Sequence, residues 1–283
     1  MKINSQYFRI SSEHGKIVSY RSLAILMLLL IASHLTRGQK DSVFSWPGGK
    51  QVAISLTFDD ARLSQVDAGA ALLDQYGVKA TFYVVPSSVK LRLDGWKKIV
   101  ANGHEIGNHS LVHPCTGNFL WSRTKALEDY SLEKMEAELR GANDSIKYLL
   151  GMTPESFAFP CGQTFVGRGI HTKSYVPVVA RLFSSGRGWM DEGPNDPVFC
   201  DFAQLTGVEM DGKEFNEILV LINNAKANHS WFVLAGHEMG EGGAQTTRLN
   251  MIRQLLAYAQ TPDSGIWIAP VGVVAGYVRK FRK

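Results

Sequence analysis

The chain has 283 residues, 45% hydrophobic and 20% charged, with a formal net charge of +4. That is ordinary globular composition, and without repeats or a Pro/Ser-rich linker it favours one large domain. Basic residues are scattered apart from a short terminal cluster (Arg279, Lys280, Arg282, Lys283), which is not the one-sided pattern of a nucleic-acid binder.

The first elements belong to export. A polar segment with Lys2, Arg9, Lys16 and Arg21 precedes the apolar run LAILMLLLIA over residues 23–32. Ten residues are too few for a comfortable membrane span, which takes roughly 20, but they match a secretory h-region behind a basic n-region. Residues 1–40 are therefore expected to be a signal peptide, or an uncleaved anchor, with the domain over residues 45–283. The expected location is periplasmic, extracellular or membrane-anchored. Three cysteines (Cys115, Cys161, Cys200) suit an oxidising compartment with at most one internal disulfide. No C-x-x-C spacing points to a structural zinc ribbon.

From residue 52 the pattern alternates. Residues 52–58, 79–85, 104–110 and 156–160 read as strands, and residues 63–77 and 95–103 as helices. A long amphipathic helix is expected over residues 124–150, ended by Gly151 and Pro154. The Gly/Pro-rich stretch 160–212 offers two weaker strands at 181–186 and 201–207. Then follow a helix over 215–228, a buried strand over 231–237, a helix over 246–260 and a last strand over 265–271. Such alternation implies parallel strands joined by crossover helices, and seven or eight units in about 235 residues suit an α/β fold of the distorted (β/α)7-8 barrel kind.

Polar oddities recur at one place in these units. Asp59 and Asp60 follow the first strand, His109 and His113 the third, Pro160-Cys161-Gly162-Gln163 the fourth, and His237 the strand WFVLAG. In a parallel barrel these are all C-terminal strand ends, where active sites form. Two histidines four apart, joined by a carboxylate from another strand end, make a set that leaves coordination positions open for water and substrate. One aspartate then neutralises a cation, and its neighbour is left to take a proton. Both reach one cavity only if the backbone turns after the strand, because side chains alternate along it. His237 is a candidate general acid. His104 and Glu105, earlier on their strand, are expected to be structural.

The segments TFDDA, GHEIGNHSLVHP, FPCG and LAGH resemble the successive motifs of the polysaccharide deacetylases, the NodB-homology group or carbohydrate esterase family four, over about residues 52–268. The resemblance implies a distorted barrel and metal-dependent deacetylation of an acetylated carbohydrate, with Zn²⁺ foremost and Co²⁺ or Ni²⁺ also compatible. It makes Asp59 the base, Asp60, His109 and His113 the metal ligands, His237 the acid, and the Cys161 backbone N–H an oxyanion donor. This sequence departs in carrying Ala61 where the motif usually has Gly, and Ala158 where it often has a base-orienting Arg. Arg187 is the candidate substitute for that Arg. Asp191, Asp196 and Asp201 are the candidates for the partner of His237. The motifs place Cys115 and Cys161 at one barrel mouth, so a disulfide involving Cys161 is expected, with Cys115 ahead of Cys200. Two other readings are a carbohydrate-binding barrel with a dead site and a metal-independent small-molecule amidohydrolase.

Overall fold

In the computed structural model, which describes residues 44–282, the run VAISLTFD forms the central strand β1 (Val52–Asp59), buried along its whole length. Its alternation sorts two environments. Ile54, Leu56 and Phe58 join the apolar cluster shared with the flanking helices, whereas Ala53 packs in a second cluster with the C-terminal helix. Ser55 and Thr57, on the Ala53 face, satisfy their hydroxyls on the carbonyls of Ala269 and Leu234. Asp59 continues that face to the strand's end.

The other strands of this sheet are β2 (Thr81–Val84), β3 (Glu105–Asn108), β4 (Ser156–Ala158), β5 (Ser185–Arg187), β6 (Val208–Glu209), β7 (Trp231–Gly236) and β8 (Ile266–Ile268). Every pair in this sheet is parallel, in the order β5-β4-β3-β2-β1-β7-β6, with β8 beside the first half of β1. A single parallel bridge from Arg187 to Leu205 joins β5 to the segment entering β6. The sheet thus curls into the expected distorted (β/α) barrel, and its carboxyl ends gather at one mouth. Helices α1 (Ala70–Gln75), α2 (Leu93–Ala101), α3 (Leu132–Leu150), α4 (Val176–Leu182), α5 (Phe215–Ala227), α6 (Leu249–Ala259) and α7 (Val271–Phe281) flank it. Among the described residues no helix is long and apolar enough to cross a membrane. The export segment expected over residues 1–40 lies outside the described residues.

Three expectations need correction. The long helix begins at Leu132, not near residue 124, because Ser131 caps it by accepting from the Lys134 N–H. Residues 120–129 form short 3-10 turns instead, held by burial of Leu127 and Tyr130 and by the Glu128 carboxylate, which accepts from Thr116 and Gly117. Residues 181–186 are half helix, since α4 runs to Leu182 before β5 starts. Residues 201–207 hold a 3-10 turn at Phe202–Gln204, whose N-terminus Asp201 caps. The apolar face of α7, absent from the expected elements, closes the foot of the barrel through Val271, Val274, Ala275 and Val278.

Candidate active site

The backbone turn required by the paired aspartates is present. Asp60 and Ala61 have φ of 73° and 55°, a left-handed conformation costing L-residues roughly 1–2 kcal/mol each. Asp59 therefore points from the strand face into the barrel mouth while Asp60 swings to the same cavity. The glycine usual at the Ala61 position in the resembling motif is what that φ favours. Buried Gln65 secures the turn, donating to the carbonyls of both Asp59 (2.6 Å) and His237 (2.8 Å). Ser110, His113 and Cys161 also have positive φ, so the strained positions concentrate at this mouth, where strain marks function.

Asp60, His109 and His113 offer ligand atoms within 4.8 Å of one another. Asp60 Oδ1 lies 3.3 Å from His113 Nε2 and 3.5 Å from His109 Nε2. His109 Nδ1 lies 2.9 Å from the Ala158 carbonyl, to which it donates, and this leaves Nε2 as a lone pair aimed at the cavity. Burial, then the neighbouring His109, pushes His113 down to about 4, so its imidazole is neutral at pH 7. Burial would raise Asp60, but His109, His113 and Arg62 outweigh it and keep the carboxylate ionised. One carboxylate and two imidazoles converging from two strand ends fit a divalent cation with open positions. Arg62 holds the outer oxygen of Asp60 at 2.8 Å.

Asp59 is set apart from this cluster by a fully buried partner. Arg187 donates to Asp59 Oδ1 from Nη2, and its Nη1 donates to the Gly188 carbonyl at 2.7 Å. Ala158 and Arg187 are register partners across β4 and β5. The guanidinium that the resembling motif places on β4 is thus supplied one strand over.

On the other side His237 Nδ1 lies 2.7 Å from Asp211 Oδ2. Asp211 Oδ1 accepts from Thr247 (2.6 Å) and from the His237 N–H (3.2 Å). Burial would lower the His237 pKa. The Asp211 hydrogen bond and the charges of Asp59 and Asp60 outweigh it and raise the pKa. Neither Asp191, Asp196 nor Asp201 partners His237. Asp191 and Asp201 accept from Gly207 and Ala203 N–H, and Asp196 from Val198 N–H. Asp211 lies just past β6, in a turn without an apolar pattern around it, so its sequence gives no local signal of this role. His104 and Glu105 are structural: His104 joins Asp74 to the Ala80 N–H, and Glu105 ties Thr81, Ser156 and Gly272 together.

Cys161 sits opposite, in a turn closed by bonds from Gly162 N–H to Phe159 and from Gln163 N–H to Pro160. Neither bond uses the Cys161 N–H. Cys115 and Cys161 form a disulfide, and Cys200 is free. The bridge fastens the loop that carries His113 to the turn that carries Cys161. Closing 46 residues of chain, it should contribute about 3–4 kcal/mol by the loop-entropy estimate. Cys115→Ser with Cys161→Ser should lower the melting temperature by several degrees, read by calorimetry. Unchanged melting would refute this contribution.

Asp59, Asp60, His109, His113, Cys161 and His237 all line one cavity of about 540 Å³. The polysaccharide deacetylase family model matches residues 39–173. A gellan lyase from Bacillus sp is 24% identical over 256 residues, 82% of this chain but 10% of that protein. The peptidoglycan-N-acetylglucosamine deacetylase PgdA of Listeria monocytogenes is 44% identical over 62 residues, 22% of this chain and 13% of its own. This chain thus spans only about a tenth of either relative's length. A solved structure from Mycobacterium smegmatis, assigned to the polysaccharide deacetylases, superposes with a TM-score of 0.62 at 17% identity. The match covers 84% of this chain and 94% of that one, a likeness of fold.

Proposed function

This chain belongs to the polysaccharide deacetylase family, and from that premise we propose that it is an exported, divalent-metal-dependent hydrolase. Its substrate is an acetylated glycan, with N-acetylglucosamine units of peptidoglycan or chitin-like oligomers foremost and O-acetyl groups a second target. The convergence of Asp59, Asp60, His109, His113 and His237 in one cavity carries the reading. The match to the Listeria enzyme supports the sugar. The Cys115–Cys161 disulfide suits an oxidising compartment and so supports export, as does the basic-then-apolar N-terminal sequence.

Asp60, His109 and His113 would hold the cation, Zn²⁺ foremost for one carboxylate and two imidazoles. When bound, it supplies a Lewis acid that acidifies water and polarises a carbonyl. Asp59, fixed by Arg187, accepts a proton from the attacking water. As the acetyl carbon becomes tetrahedral, the Cys161 N–H donates to the oxygen that gains charge. His237, oriented by Asp211, gives its Nε2 proton to the departing nitrogen while the carbon–nitrogen bond breaks. Acetate and a free amino sugar result, with no covalent enzyme intermediate.

Acetate release from chitooligosaccharide, peptidoglycan and acetyl xylan tests the substrate. A strong chelator should abolish turnover and Zn²⁺ or Co²⁺ should restore it, since cation loss removes the activated water. Turnover that survives thorough chelation would overturn the metal requirement, and an inert but sugar-binding protein would overturn the hydrolase.

A further inference from the structure

Arg187 holds the base, yet hydrogen bonds hold Arg187 at one end only. Three strands separate β5 from β1 in the sheet, so its side chain crosses the barrel interior to reach Asp59. There Nη2 donates to Asp59 and Nη1 to the Gly188 carbonyl. Nε, nearer the backbone, is buried without a hydrogen-bond partner among the described residues.

Tyr83 supplies the remaining contact. Arg187 Cζ lies 5.0 Å over the centre of the Tyr83 ring, and both side chains are fully buried. Tyr83 is the register partner of Asp59 across β1 and β2, so base and ring start side by side. Gly107, paired with Tyr83 across β2 and β3, leaves the ring its space, because a Cβ there would collide with the ring edge. Gly207 does the same for the arginine, since a Cβ on it would stand 2.7 Å from Arg187 Cδ. The Tyr83 hydroxyl has no hydrogen-bond partner among the described residues. Burial, then Glu105, pushes its pKa well above the ordinary tyrosine value, so the ring stays neutral and meets the cation with its face.

We infer that Tyr83 is a positioning residue for the hydrolysis, its ring face holding the Arg187 guanidinium and, through it, the base. This rests on the deacetylase reading above. With Oδ1 tied to Arg187, Asp59 Oδ2 is kept facing the ligand set, 3.9 Å from His109 Nε2. The negative face of an aromatic ring attracts a guanidinium, most strongly where water is excluded, and both groups are sealed from water here. Tyr83 is not among the residues that line the catalytic cavity. Loss of its ring should therefore act on kcat and leave KM and metal content alone.

The test varies position 83 and reads kcat, KM and metal content on one acetylated oligosaccharide, with melting by calorimetry. Tyr83→Leu should lower kcat roughly 10- to 30-fold, the scale of one desolvated cation–π contact, with KM and bound metal unchanged. Tyr83→Phe, which keeps the ring, should recover most of that loss. Pentafluorophenylalanine at position 83 keeps the shape but removes the negative charge from the ring face, so kcat should fall again. In an Arg187→Ala background the fluorinated ring should cost nothing further. Normal kcat with the fluorinated ring would overturn the proposal, even where Tyr83→Leu fails to fold, and so would an equal loss without Arg187. No acetate from any saccharide, with fluorination lowering the melting temperature only when Arg187 is present, would overturn the deacetylase reading and support the contact.

Discussion

Asp60→Ala should lose bound metal and turnover together, whereas Asp59→Asn should keep near-stoichiometric metal and lose most of kcat. The two carboxylates are adjacent in sequence but differ in partners. Asp60 Oδ1 faces both imidazoles within 3.5 Å, while Asp59 is joined to buried Arg187 and lies 3.9 Å from His109 Nε2. Asn at 59 preserves shape and can still accept from Arg187, but it cannot take a proton at neutral pH. Loss of a positioned base is typically worth ~10²–10⁴-fold. Removing Asp60 takes away the one carboxylate of the ligand set and leaves only the two imidazoles. Metal content by atomic absorption and kcat on one acetylated oligosaccharide separate these outcomes. Equal metal loss in both variants would sink the division of roles.

The left-handed turn at Asp60 and Ala61 shows why part of this site could be read before the fold. Two carboxylates after an apolar strand are costly unless a cation or a fixed partner faces them, so their presence alone announced a cavity. Likewise, polar residues that recur at the carboxyl ends of four strands have one meaning in a parallel barrel. Local patterns also placed β1, β7, α5 and the Gly151 stop. Arg187 and Asp211 are a different case. Arg187 reaches Asp59 across the barrel and Asp211 reaches His237 from the end of the neighbouring strand, 128 and 26 residues away in the chain, and no local spacing encodes such a contact. Arg187 could be suspected only through the gap at Ala158, and Asp211 lay outside the three candidates for its role. The helix misplaced at residues 124–131 failed for a related reason. Its apolar residues have a helical rhythm, but Leu127, Tyr130 and Glu128 answer to the catalytic loop instead of a helix face.

His237→Ala should cut the rate on an acetamido sugar severely, and far less on an activated aryl acetate whose phenolate leaves without a proton. The difference isolates proton donation, because both substrates need water attack and oxyanion support equally. The pH profile of kcat/KM should be a bell. Asp59 must be ionised, which fails on the acid side, and His237 must be protonated, which fails on the alkaline side. A raised pKa keeps His237 protonated to higher pH, so the alkaline limb should fall above the ordinary histidine range. Asp211→Asn then gives a signed result. Asn can still accept from Nδ1–H, so the ring keeps its place, but the charge that favours the imidazolium is gone. The His237 pKa must drop and the alkaline limb must move to lower pH. Neighbouring groups titrate together, so the direction of movement carries the assignment, not the absolute midpoint. An alkaline limb that stays put in Asp211→Asn, or equal losses on amide and aryl ester in His237→Ala with metal retained, would remove His237 from the acid role.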